Sequence, residues 1–142
     1  MSVTIGWDDD SYRILCVTLT NNWSPQQLYE MAQERFPQLL LNTTTVPSMI
    51  VDFTQSGTMS PDGILKLWQE AFGWLQTLGL SSMLIVLVHA PPIIRSAGGT
   101  LRNLRVPVMR YTFFVDTVEE AYALIRSHRD ETPPQSLPPS QT

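Results

Sequence analysis

The sequence predicts an α/β fold: a mixed five-stranded sheet, opened by an N-terminal β-hairpin and continued by β-α units, with about four flanking helices. Three observations carry this. Met83 to Val88 is an unbroken apolar run without charge, Gly or Pro, β-branched at Ile85, Val86 and Val88, and so reads as a strand buried on both faces. A strand can be apolar on both sides only where each side is covered, the situation of a parallel strand fed by helical crossovers. Strand-like and helix-like patterns alternate along the chain from Pro25 onward, which is the signature of β-α units. The 142 residues are 43% apolar and 15% charged, enough for one globular core.

The elements follow in order. Val3 to Trp7 alternates, the acidic cluster Asp8, Asp9 and Asp10 can turn the chain, and Tyr12 to Leu19 resumes a strand, giving the hairpin. Neither face of its second strand is cleanly polar, so that strand is expected inside the sheet. Ser24, Pro25 and Gln27 start a helix as cap, first-turn proline and capping-box partner. Pro37 disfavours helical geometry at Phe36, so a kink or break is expected there. Met49 to Phe53 is a short buried strand, and Ser60 with Pro61 caps the next helix.

That helix, Gly63 to Leu78, carries an apolar face wider than the roughly 100° needed to sit on a sheet. Its marginal residues Leu67, Phe72 and Trp74 must meet something further. Neighbouring helices are the simpler answer, and a homodimer or partner surface is the other. After the central strand, Ile93 to Leu104 reads as a weak helix interrupted at Gly98 and Gly99. Tyr111 to Val115 is the last strand, and Thr117 with Glu120 forms a capping box for the final helix. One domain is expected over residues 1–130, followed by a Pro, Ser and Gln-rich tail at 131–142 too polar to order itself.

Composition narrows the function. A net charge of -4 argues against general nucleic-acid binding. Arg95, Arg102 and Arg105 nevertheless lie in a segment without acids and form a candidate patch for an anion or an acidic partner. The single cysteine, Cys16, allows no internal disulfide and is expected as a buried structural thiol. No signal segment and no apolar run of ~20 residues is found, so a cytoplasmic protein without membrane insertion is expected. Two histidines and one cysteine far apart give no metal site, and no cofactor motif is present. Asp52 and His89 follow parallel strands, where α/β sheets place ligands. They lack a nucleophile or oxyanion donors, and a satisfied strand-end polar pair is the favoured reading.

With the element order complete, the chain resembles the STAS-like (anti-sigma-factor antagonist) domains and the related SEC14-like lipid-pocket proteins. The residues that carry the resemblance are Ile50 to Phe53, entering the amphipathic helix, and Phe114 to Ala121 at the close. The resemblance implies a non-catalytic signalling module, a bacterial-type regulator that works by docking a protein partner or a second copy of itself. It also implies phosphorylation just before the second helix, within a motif Asp-Ser-Ser-Gly. The nearest match is Ser56 and Gly57, with Gln55 in place of a hydroxyl residue, so Ser56 and Thr58 are the candidate phosphoacceptors. The alternative function is binding of a small apolar, lipid-like ligand between the sheet and the helices carrying Trp68, Phe72 and Ile94. An enzyme using Asp52 and His89 ranks third.

Overall fold

The computed structural model describes residues 2–8, 13–57, 64–80, 82–105 and 107–131. Five strands lie side by side in chain order: β1 (Val3–Trp7), β2 (Ile14–Thr20), β3 (Ser48–Gln55), β4 (Ile85–Val88) and β5 (Thr112–Val115). β1 and β2 pair antiparallel, with Ile5 opposite Val17, and every later pair is parallel, with Val51 opposite Leu87 and Leu87 opposite Phe114. Helices α1 (Pro25–Leu39), α2 (Ile64–Thr77) and α3 (Pro92–Asn103) connect the parallel strands, and α4 (Val118–Glu131) follows β5. This is the expected mixed sheet with four helices. The acidic turn beyond Asp8 and the tail beyond Glu131 lie outside the described residues.

Side-chain alternation splits the core in two, because successive residues of a strand point to opposite faces. On one face Leu15 and Val17 of β2, Val51 and Phe53 of β3, and Ile85 and Leu87 of β4 pack beneath α1, α2 and α3. On the other, Ile50, Val86 and Val88 meet Ala121 and Ile125 of α4. All four residues of β4 are therefore buried, as the two-sided apolar run predicts. α4 packs on β3, β4 and β5, and Ile14, Cys16 and Thr18 of β2 on that same face are only half-buried. Cys16 is thus half-buried rather than sealed, and Thr18 is tolerated there.

Two local expectations are corrected. α1 does not break at Pro37 but runs on to Leu39. Pro37 is exposed and close to the helix end, while Phe36, 2% exposed, is packed with its ring 5.5 Å from Trp74 of α2 and holds the turn in the core. Nor do Gly98 and Gly99 interrupt α3, which is continuous from Pro92 to Asn103. Gly98 is a packing residue: a Cβ on it would come within 2.7 Å of Phe114 Cζ.

Two of the three caps work as read, and the third, at Ser60 and Pro61, lies outside the described residues. The Gln27 N–H donates to Ser24 Oγ at 3.1 Å, and the Glu120 N–H donates to Thr117 Oγ1 at 3.1 Å. The Glu120 carboxylate accepts in turn from the Asp116 N–H at 3.1 Å, one residue earlier than in a simple capping box.

Candidate functional site

Two places could do work: the rim at the carboxyl ends of the parallel strands, and a chamber between the sheet and α1–α3.

At the rim, parallel register puts Asp52 opposite Val88, so Asp52 and His89 do end adjacent strands. They are not joined. Asp52 Oδ1 accepts from the Thr54 N–H at 2.9 Å and the Thr54 hydroxyl at 2.5 Å, a closed local turn. His89 is exposed, in the left-handed region at φ 55°, and its backbone N–H donates to Val115 O at 2.9 Å. An acid-base pair needs hydrogen-bond reach, and none links these side chains among the described residues.

The arginine patch is likewise spent largely on structure. Arg95 pairs with Asp116 at 3.2 Å and donates through Nε to Ala90 O at 3.2 Å, strapping the start of α3 to the end of β5. Their side chains are 47% and 76% exposed, so the ion pair itself contributes little. Arg102 Nη2 donates to Thr112 O at 2.8 Å. Only Arg105, exposed and at φ 58° where α3 ends, makes no side-chain bond among the described residues.

Ser56 is 2% exposed, its Oγ donating to Gly57 O at 3.4 Å, so its hydroxyl is closed to a kinase in this conformation. Gly57 sits at φ +66°, which favours glycine, and a Cβ there would have to displace the Asn21 side chain. Thr58 lies outside the described residues.

The chamber is formed where α1 and α2 stand off the sheet. A cavity of about 140 Å³, partly open, is floored by residues such as Val17, Phe53 and Leu87 and roofed by Leu28, Ala32 and Phe36 of α1 and Trp68 and Phe72 of α2. Ile94 of α3 closes one side. Trp68, Phe72 and Ile94, the three residues expected at a ligand pocket, all line it. The same geometry places two of the three residues expected at a partner or dimer surface. Phe72 is 5% exposed and belongs to the core, while Trp74 is half-buried against α1, 5.5 Å from the Phe36 ring and 6.0 Å from Tyr29. A neighbouring helix thus takes up that margin of the wide apolar arc; the placement of the Leu67 side chain is outside what is described.

Reasoning on the sequence missed Trp23, which also lines the chamber. It was legible only as a lead-in to α1, because nothing local shows that β2 delivers it opposite Phe53, 5.7 Å away and edge-on.

On the opposite face Tyr122 Oη donates to Asp8 Oδ2 at 3.5 Å. Burial, and then the neighbouring Cys16 and Asp8, push its phenol from 10.0 up to about 12. Arg129 Nη2 donates to Arg13 O at 2.6 Å, and its guanidinium is shifted down, chiefly by burial and then by Arg13.

A mixed five-stranded sheet, hairpin first and flanked by four helices, defines a STAS-like fold. The structure of the anti-sigma-factor antagonist SpoIIAA in its unphosphorylated form matches it with a TM-score of 0.56 at 13% identity, over 87% of this chain and 97% of that one. The NMR structure of the protein TM1081 matches with a TM-score of 0.54 at 13% identity, over 89% of both chains. These likenesses are of fold. No family model matches the sequence, and no curated protein matches it. No described helix is long and apolar enough to cross a membrane.

Proposed function

We propose that the protein is a non-catalytic regulatory module of STAS type that acts by docking a protein partner or a second copy of itself. The observation that supports this is the likeness of fold to an anti-sigma-factor antagonist over 87% of the chain, joined to a rim whose acid and histidine are not hydrogen-bonded to each other among the described residues. Arg105 is the charged contact for an acidic partner surface, since Arg95 and Arg102 are held by Asp116 and the β5 backbone. A phosphate on Ser56 would require the loop after β3 to open, because the hydroxyl is buried. The modified form would therefore differ from the unmodified one at this rim. Recovered from its own cells after cross-linking, the protein should carry a stoichiometric protein partner or second copy. Arg105→Glu should lower that yield without changing Tm. Recovery as an uncomplexed monomer would contradict the reading.

The chamber favours a second reading, a small apolar ligand held between sheet and helices. An apolar cavity of about 140 Å³ is space that a core packed to ordinary density would fill. A ligand retained there raises thermal stability by mass action.

A further inference from the structure

Only one side of the chamber gives onto solvent. The lining residues contributed by the sheet, such as Val51, Phe53 and Leu87, are buried, as is Ile94 of α3. Those that keep some exposure all belong to α1 and α2, among them Leu28, Tyr29 and Ala32 of the first and Trp68, Ala71 and Trp74 of the second. The mouth therefore lies between these two helices. Each sets an alanine in the wall, Ala32 and Ala71, where a larger side chain would take up the space.

What the walls present to this space is almost all carbon. Tyr29, Trp68 and Trp74 carry polar groups, but these supply next to none of the surface, and the Trp23 indole N–H is buried within the wall rather than open to the cavity. No lining residue is charged. A hydroxyl, carboxylate or ammonium carried inside would leave its water without gaining a partner. The volume of about 140 Å³ is close to that of an engineered apolar cavity of about 150 Å³, which stays dry and binds benzene. Trp68 and Phe72, with ring centroids 5.5 Å apart, stand with Phe53 among the walls, a setting suited to edge and offset contacts with another ring. A long acyl chain exceeds the space.

We infer that the chamber takes a single apolar ring of alkylbenzene size, which enters between α1 and α2 and carries no hydrogen-bonding group on the part that is buried. This rests on the ligand-pocket reading above and adds the size, polarity and entry route that select the ligand. Selection works by exclusion. A hydrocarbon ring gains from burial in proportion to the apolar area removed from water, whereas a polar ring of the same outline gives up its hydration for walls that offer nothing in return.

The test compares p-xylene with hydroquinone, which has the same outline but a hydroxyl at each end, so that one is buried whichever end leads. Both are titrated into the full chain and followed by NMR, with palmitate as a third probe. p-Xylene should bind saturably, and hydroquinone at least about tenfold more weakly, the effect of one hydroxyl desolvated without a partner. Ala71→Leu narrows the mouth and fills the space, so it should abolish p-xylene binding while raising Tm. Should that variant fail to fold, magnetisation transfer from p-xylene to the Ala32 and Ala71 methyl groups of the natural chain decides. Transfer only to methyl groups elsewhere, or undiminished binding in folded Ala71→Leu, would overturn the entry route. Equal affinities for p-xylene and hydroquinone would overturn the exclusion of polar rings but leave the ligand pocket standing. Tighter binding of palmitate than of p-xylene would overturn the single-ring ligand. Failure of all three probes to bind would remove the pocket reading itself.

Discussion

At Gly98 α3 approaches the sheet closely, with Phe114 Cζ 2.7 Å from where a Cβ would stand and Trp68 Cη2 at 3.5 Å. Gly98→Ala gains helix propensity of about 0.5–1 kcal/mol but overpacks a contact, which typically costs about 1–3 kcal/mol. Denaturant unfolding should show a net loss of about 1 kcal/mol, and pairing the change with Phe114→Leu should recover most of it. Gly99→Ala meets nothing within 4 Å and should stabilise by about 0.5–1 kcal/mol. The Gly-Gly pair was visible in the sequence as a weak point. Which glycine is indispensable was not, since that depends on a ring brought from β5. Tyr122 supplies a pH signature. Its pKa rises from 10.0 in the unfolded chain to about 12 in the fold. Below pH 10 both states keep the proton and stability does not respond. Between 10 and 12 only the folded state keeps it, so stability falls as pH rises through this window. Unfolding midpoints across pH 9–12 should show that fall, and Tyr122→Phe should make it shallower; an identical slope in the variant would rule out the phenol as its source.

At the scale of elements, α1 and α2 show where local rules yield to packing. Proline in a helix interior removes a backbone hydrogen bond, and Pro37 was therefore read as a break. Tertiary burial of Phe36 overrides this near the helix end. Pro37→Ala, at an exposed position, restores the N–H and should stabilise by roughly 1 kcal/mol, a fraction of the full interior penalty. A lower Tm in that variant would show that the proline is needed. Capping was legible because it is local: Ser24 and Thr117 both accept the bonds that their spacing implied. Thr117→Ala should cost about 1 kcal/mol. The width of the apolar arc on α2 was also legible, but its use was not. Spacing cannot tell a neighbouring helix from a second copy, and it is α1, through Phe36 and Tyr29, that receives Trp74.

For the whole molecule, the element order and the two-sided burial of β4 were readable because a charge-free β-branched run admits few other placements. The chamber was readable only as an alternative, since a cavity is a residue of how three helices and a sheet meet. Trp23, which lines it, comes from a loop with no periodicity to mark it. Everything positional depends on β4: Ile85 and Leu87 support the chamber side, and Val86 and Val88 support α4. Val86 is 0% exposed, so Val86→Asp places an unpaired charge between two layers and should cost several kcal/mol of a total of about 5–15. Native-state hydrogen exchange of the β4 amides tests this placement most directly. The amides of Val86 and Leu87 should exchange only with global unfolding, tracking the stability measured by denaturant, while those of the edge strand β1 open earlier. Exchange at β4 as fast as at β1 would contradict the account.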